Sequence, residues 1–317
     1  MQNNFRRVYY TFLGVLFLLV ILAVAGARLY TDWLWFQSLE YQRVFLTIIL
    51  SDIGLRLGVG VAFFILLFTS LMFTRGYLLR AAQQSTVLIE DDLLTIQGSP
   101  WSRFLTNRFL IAAFAALSLI MAFLFSFSVA GDWVTLQKFL HPTSFGISEP
   151  VFNLDVGFYV FRLPFFLFLY HVASAALLVI AFWTAVAYLL ADLAQGSAGG
   201  LFKSIAARYH LSFLAALFFI LKAIGYQLER YALLFTHTGA VWGPGYTATH
   251  ATLPAYNILT IIALVCALAI IINLFLRRFR LVVYSIAVML VASVLLGGVY
   301  PGIVQKFRVQ PNEIVME

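Results

Sequence analysis

Seven long apolar stretches constrain this sequence more than any other feature. A helix that spans the hydrocarbon core of a bilayer needs about 20 mostly apolar residues, because the core is ~30 Å thick and each residue rises ~1.5 Å. We therefore predict an all-α fold, a polytopic transmembrane helical bundle with seven spans. The predicted spans are 8–27, 50–73, 109–129, 164–190, 211–233, 255–276 and 281–300.

The composition excludes water as the main solvent of the chain. Of the 317 residues, 63% are hydrophobic and only 10% are charged, whereas a soluble domain carries about 25% charged residues. The apolar run of the first span is also longer than the roughly 7–15 residues at the core of a signal peptide. We therefore expect the first span to be retained, and lipid to be the principal partner of the chain.

The distribution of positive charge predicts the orientation, since cytoplasmic connections of membrane proteins carry an excess of Lys and Arg. With the N-terminus inside, the cytoplasmic segments hold 11 of the 20 basic residues but only four of the 13 acidic ones. We predict a plasma-membrane protein with a cytoplasmic N-terminus and an extracytoplasmic C-terminus. The net charge of +7 is thus explained by topology and lipid, and we expect no nucleic-acid partner. The basic residues of the inner set are Arg6, Arg7, Arg75, Arg80, Arg103, Arg108, Lys203, Arg208, Arg277, Arg278 and Arg280.

Two connections carry amphipathic patterns that predict surface helices. The outer segment 28–49 is rich in Trp, Tyr and Phe between charged residues, which is typical of a helix lying in the membrane interface. The cytoplasmic connection 75–108 contains an acidic triplet at 90–92, flanked by Leu and Ile. We expect a short surface-lying helix there as well.

The two remaining outer connections are longer than a simple turn requires. We name them loop A (130–163) and loop B (234–254). Both are punctuated by Gly and Pro, which predicts specific turns rather than helix. We expect the membrane domain to cover 1–300, with Tyr300 and Pro301 ending the last span and 301–317 beginning an extracytoplasmic segment.

Four ionisable residues within the predicted spans are candidates for an intramembrane polar site. Lys222 is predicted to lie near the midplane, where an unpaired charge costs roughly 2.5–3.5 kcal/mol. Glu229 follows two turns later on the same helix face, and Asp52 and Arg56 have the i, i+4 spacing of a helix pair. For each pair, the alternatives are a structural contact and a functional site that handles protons or lines an aqueous cavity.

Loops A and B contain a second and weaker group of candidates, Asp132, Glu149, Asp155 and His250. Their spacing matches no zinc signature. The chain also lacks a Walker loop, a GxSxG elbow and an HExxH motif, so we predict no catalytic residue, no cofactor and no metal site. The lone His171 in the fourth span is more typical of packing than of ligand binding.

Four continuous segments of the sequence resemble a known protein family. They are GDWVTLQKFLHPTSFGISEPVFNLDVGFYVFRLPF (131–165), LKAIGYQLERYALLF (221–235), GYTATHATLPAYNIL (245–259) and GGVYPGIVQKFRVQPNE (297–313). Through them the chain resembles the N-terminal membrane part of uncharacterised protein family 0182, large bacterial multi-pass proteins of unknown function. The resemblance implies seven spans in the plasma membrane, followed by a large extracytoplasmic domain of which 301–317 would be a truncated beginning. It supplies no catalytic residues.

These observations favour a membrane anchor or scaffold that holds an extracytoplasmic domain or a protein partner. A first alternative is a transporter or channel, with a polar path near Lys222 and Glu229 and near Asp52 and Arg56. A second alternative is a cell-envelope enzyme that acts at the outer loops. The sequence leaves the oligomeric state open.

Overall fold

The computed structural model describes residues 2–83, 85–90, 93–98, 106–194, 204–238, 241–276 and 280–312. The α-helices are α1 (Gln2–Ser38), α2 (Gln42–Gln83), α3 (Asn107–Phe127), α4 (Trp133–Leu140), α5 (Leu163–Ala194), α6 (Ile205–Ala232), α7 (Leu253–Leu276), α8 (Arg280–Val294) and α9 (Tyr300–Val304). Over these residues, seven helical stretches are long and apolar enough to cross a membrane. Each predicted span falls on one of them, which confirms the helical fold and the seven candidate spans.

The seven stretches run past the predicted boundaries at several places. They are Tyr9–Ser38, Gln42–Ala81, Asn107–Phe127, Phe158–Leu193, Ile205–Phe235, Ala248–Asn273 and Leu281–Asn312. Two of these helices begin with a side-chain cap: Thr106 accepts a hydrogen bond from the N–H of Phe109, and Ser204 accepts one from the N–H of Ala207. Such caps satisfy backbone donors that have no partner within the helix.

The chain divides into two compact units, 1–55 and 56–317. In the first unit, α1 ends in a tight turn in which Glu40 adopts a positive φ of 61°. The N–H of Tyr41 bonds to the carbonyl of Phe36, and the N–H of Glu40 to that of Gln37. This is the Schellman arrangement that closes a helix C-terminus.

The prediction of a separate interfacial helix over 28–49 is therefore wrong. Residues 28–38 continue α1, and residues 42–49 begin α2. The aromatic residues that suggested an interfacial helix instead pack across the turn, with the ring of Phe45 5.5 Å from that of Trp33 and 5.4 Å from that of Phe36.

In the second unit, the helices bury two apolar cores. The first lies between α2, α3, α5 and the start of α6, and includes Phe63, Leu71 and Ile180. The second lies between α6, α7 and α8, and includes Phe219 and Ile270. Helix α6 belongs to both cores, and it packs most extensively against α7 and α5.

A β-hairpin replaces the surface helix that was predicted within 75–108. Strand β1 (Ser85–Glu90) pairs antiparallel with β2 (Leu93–Gly98), with Glu90 opposite Leu93. The strands are rich in Val, Ile and Thr, which favour strands, and the two residues between them in the sequence are Asp, a residue type common in turns. Residues 91 and 92 of the predicted acidic triplet lie outside the described residues.

Loops A and B lie at one end of this unit, which we call the loop end, and loop B contacts the C-terminal helix (300–312) there. Loop A contains α4 and an isolated bridge between Ser148 and Asp155. Loop B contains a two-stranded hairpin of β3 (His237–Thr238) and β4 (Val241–Trp242). The opposite end, where α2 and α5 finish and α6 begins, is the hairpin end.

Four π-helical turns share one cause. Each lies directly before a residue followed by proline: Phe158–Arg162, Ala248–Thr252, Leu295–Val299 and Gln305–Val309. In each case the residue before the proline donates its N–H to the carbonyl five positions back. Proline has no N–H, and its ring clashes with the carbonyl four positions back. The wider π turn relieves this conflict and keeps the helix continuous.

For this reason, the prediction that Tyr300 and Pro301 end the last span is wrong. The chain remains helical through the π turn before Pro301, through α9, and through the π turn before Pro311. The last stretch then closes with the 3₁₀ turn Gln310–Asn312. The domain boundary predicted at residue 300 thus falls inside a continuous helical segment.

Candidate functional site

Lys222 finds its partners among tyrosines. Its Nζ atom donates a hydrogen bond of 3.0 Å to the hydroxyl of Tyr170 on α5. The same atom lies 4.9 Å from the ring centroid of Tyr226 and 5.7 Å from that of Tyr170. Both distances fall within the range of cation–π attraction. Within the described part of the chain, the ammonium group is therefore in direct contact with neutral aromatic groups.

Gly225 makes this contact possible. A Cβ atom at position 225 would overlap the Cζ atom and the hydroxyl oxygen of Tyr170. Tyr170 is only 6% exposed, so its rigid ring has little space to move. Gly225 thus allows α5 and α6 to approach closely at the point where Lys222 meets Tyr170.

Glu229 lies further towards the loop end of α6. It is half-buried and interacts electrostatically with Lys222 and with His171 of α5. The structure gives it no hydrogen bond to any of the residues it describes. Tyr256 of α7 interacts electrostatically with both Glu229 and Lys222. We call Tyr170, His171, Lys222, Tyr226, Glu229 and Tyr256 the central polar cluster.

The other predicted pair, Asp52 and Arg56, lies on α2. These residues are one helical turn apart on α2, whereas the central polar cluster is built from α5, α6 and α7. Each of them has an interaction of its own. The sequence grouped the four residues because all are ionisable and lie within spans, and the two pairs lie on the different helices that the predicted spans gave them.

A second polar network near the hairpin end was missed at the sequence level. The hydroxyl oxygens of Ser70 and Thr184 lie 2.6 Å apart, and the imidazole of His210 contacts Ser70 at 3.2 Å and Tyr188 at 3.4 Å. These side chains join α2, α5 and α6. In the sequence, this network is marked mainly by hydroxyl groups inside apolar helices. Such groups are common in spans, so they do not single out a site.

The same region buries an acidic residue that was predicted to lie in a cytoplasmic connection. Asp192 is 2% exposed and accepts a hydrogen bond of 2.6 Å from the hydroxyl of Tyr77. Between this network and the central polar cluster lie the buried apolar side chains of Leu177, Ile180 and Leu214. The two polar regions are therefore separated by part of the first apolar core.

An open groove lies between α3, α4 and α5 at the loop end, with a volume of about 480 Å³. Asp132, Thr135 and His171 are among the residues that line it. His171 thus connects the groove with Glu229 of the central polar cluster. Of the predicted loop cluster, only Asp132 lies in this groove.

Glu149 is used to build loop A. Its carboxylate accepts hydrogen bonds from the N–H groups of Val151 at 2.6 Å and Phe152 at 2.7 Å, and from the hydroxyl of Tyr159 at 2.8 Å. Burial raises the pKa of Glu149, but the hydrogen bonds to its charged form outweigh this effect. The pKa therefore lies below its ordinary value.

Asp155 has a similar structural role in the same loop. It accepts hydrogen bonds from the hydroxyl of Ser144 at 2.7 Å and from the N–H groups of Phe145, Gly146 and Gly157. The Ser144 hydrogen bond is the main cause that lowers the pKa of Asp155, and the backbone donors add to it. This carboxylate therefore holds the turn together.

His250 lies in loop B. The ring of His250 stacks on that of Tyr246, with 4.1 Å between the ring centroids. The guanidinium of Arg308, on the C-terminal helix, lies 5.2 Å from the ring centroid of Tyr246. Within the described parts of the chain, no three His, Cys, Asp or Glu side chains are grouped so that they could hold a metal ion.

Aromatic packing attaches loop A to the end of α6. Tyr231 contacts the rings of Phe152, Phe158 and Tyr159 at 4.9–6.5 Å, and the Arg230 guanidinium lies 5.5 Å from the ring centroid of Phe152. The loop end is therefore a packed surface rather than a set of free connections.

Seven helical stretches that are long and apolar enough to cross a membrane suggest a multi-pass membrane protein. The profile of the uncharacterised protein family UPF0182 matches residues 9–317, and the chain belongs to this family. No solved structure is significantly similar to it.

Three relatives illustrate the extent of the similarity. A UPF0182 protein of Pelotomaculum thermopropionicum is 64% identical over 317 residues, which is 100% of this chain and 35% of that protein. A UPF0182 protein of Desulforamulus reducens is 47% identical over 92% of this chain and 32% of its own length. A UPF0182 protein of Moorella thermoacetica is 35% identical over 98% of this chain and 34% of its own length. The chain thus spans about a third of the length of these curated relatives.

The contact between Gly225 and Tyr170 can be tested by Gly225→Ala. The added methyl group displaces the Tyr170 ring and its hydrogen bond to Lys222, so we expect a loss of stability of about 1–3 kcal/mol. Thermal unfolding of the purified protein in detergent measures this loss. Gly58→Ala is the matched control, because a Cβ atom there meets nothing within 4 Å. Equal stability of the two variants would contradict the proposed role of Gly225.

Proposed function

We propose that this chain is a multi-pass plasma-membrane module that anchors further extracytoplasmic chain, or a protein partner, at its loop end. The observation that carries the proposal is the packing of the C-terminal helix against loop B. The hydroxyl of Thr247 in loop B donates to the side-chain oxygen of Gln305, and Val309 is fully buried. A helix fixed in this way gives the chain that follows it a defined position, as an anchor requires.

The orientation is part of the proposal. Arg75, Arg80 and Arg208 belong to the hairpin end of α2 and α6. By the excess of basic residues in cytoplasmic connections, the hairpin end faces the cytoplasm and the loop end faces outward. Loops A and B, with their internal hydrogen bonds and aromatic packing, then form the outer surface.

The length of the relatives supports an anchoring role. The matched relatives are about three times as long as this chain, and this chain aligns with 32–35% of each. We propose that the remainder of such proteins includes the extracytoplasmic part that the membrane module holds.

A second candidate function is a transporter or channel. It is favoured by the connection from the open groove through His171 to Glu229 and Lys222. This function requires water at the depth of Lys222. The apolar layer between the two polar regions and the tyrosine partners of Lys222 favour the anchor over a continuous path.

The orientation predicts the activity of reporter fusions. A phosphatase that folds only outside the cytoplasm should be active when fused after residue 317 and inactive when inserted at 277–279. The reason is that residues 280–312 begin on one side and end on the other. The converse pattern would show that the orientation is reversed, and activity at both sites would show that the last stretch does not span.

Anchoring can be tested in the relative of Pelotomaculum thermopropionicum, using the phenotype of the gene deletion as readout. The part outside the matched region should fail to complement when secreted in soluble form, but should complement when tethered by an unrelated membrane span. Complementation by the secreted form would contradict anchoring. Failure of both forms, with rescue by the native membrane part only, would favour the transporter.

A further inference from the structure

The groove between α3, α4 and α5 is lined by both apolar and polar side chains. Phe125, Leu167, Phe168 and Val172 form an apolar wall along the helices α3 and α5. Asp132 and Thr135 of α4, with His171 of α5, supply polar groups. A groove of about 480 Å³ lies in the range of small-molecule sites, which is roughly 300–1,000 Å³.

The position of the groove matches the interface of a bilayer. Helix α3 ends at Phe127, and α4 begins at Trp133, so Asp132 lies just beyond the end of a span. The apolar wall lies along the spans themselves. This order, with a carboxylate at headgroup level and apolar side chains below it, is the order of a phospholipid molecule.

The carboxylate of Asp132 is available to a ligand. Asp132 occupies the N-cap position of α4, but its side chain makes no capping hydrogen bond. The residues described in the structure offer no hydrogen bond to the side chain of either Asp132 or His171. A carboxylate in the groove favours a cationic ligand group, and a protonated amine can donate charge-assisted hydrogen bonds to it.

We propose that this groove binds a phospholipid with a protonated primary amine in its headgroup, that is, phosphatidylethanolamine. The ammonium group donates to the carboxylate of Asp132. The phosphate faces the hydroxyl of Thr135, and an acyl chain lies along the apolar wall. The proposal requires only that the chain lies in a bilayer, and it is independent of the orientation and of the anchoring role.

The headgroup makes the test specific. Phosphatidylcholine carries three methyl groups on its nitrogen and cannot donate a hydrogen bond, while phosphatidylglycerol has no positive charge. Native mass spectrometry of the delipidated full chain in detergent would measure binding of all three lipids with identical acyl chains. We expect phosphatidylethanolamine to bind about tenfold more tightly than phosphatidylcholine, because a charge-assisted hydrogen bond is lost. Equal binding of the three lipids would overturn the proposal.

Two variants separate the roles of charge and shape. Asp132→Asn should remove the preference for phosphatidylethanolamine, whereas Asp32→Asn, which changes an exposed carboxylate outside the groove, should retain it. Ala175→Trp fills the groove without changing its charge and should weaken binding of phosphatidylethanolamine.

The remaining outcomes also decide the question. If Asp132→Asn keeps the preference, the carboxylate does not recognise the amine and the proposal is wrong. If Ala175→Trp leaves lipid binding unchanged, the acyl chain does not lie in the groove and the proposal is wrong. Should either variant fail to fold, the comparison of headgroups on the unmodified chain still decides the question.

Discussion

The absence of water from hydrocarbon is the constraint on which this structure depends. A polar group inside a bilayer cannot be solvated, so it must find a partner within the chain. The structure meets this requirement at the contacts between helices: Lys222 of α6 with Tyr170 of α5, and Ser70 of α2 with Thr184 of α5. The same contacts hold the helices in register. The hydrogen bonds that satisfy polar side chains therefore also stabilise the packing of the helices.

Much of the architecture could be predicted from hydropathy alone, because span length is set by bilayer thickness and leaves a long, continuous signal. The ends of the helices could not be predicted in this way. Proline at 301 suggested a helix end, yet a π turn before it preserves the helix. The segment 75–108 was predicted from its amphipathic pattern to be helical, but its β-branched residues form a hairpin. Short segments carry few residues with which to separate a period of 3.6 from a period of 2.

The candidate site could be predicted in part. Lys222 and Glu229 were singled out because charge is costly at their depth, and this reasoning needs only the position along one helix. Their partners lie on other helices: Tyr170 comes from α5 and Tyr256 from α7. Gly225 was unremarkable in the sequence, and only the approach of α5 explains it. Likewise, Glu149 and Asp155 were grouped as a possible site, but their hydrogen bonds stabilise loop A itself.

The central claim is that tyrosine side chains, rather than water, surround the ammonium group of Lys222. The most direct measurement places cysteine at position 222 in a Cys266→Ala background and labels sealed vesicles with a membrane-impermeant thiol reagent from each side. Cysteine at position 143, which is exposed and lies outside the candidate spans, and labelling after denaturation serve as controls. The structure predicts that position 222 remains unlabelled from both sides until the protein is denatured. Rapid labelling from either side would show a hydrated path to Lys222 and contradict the claim.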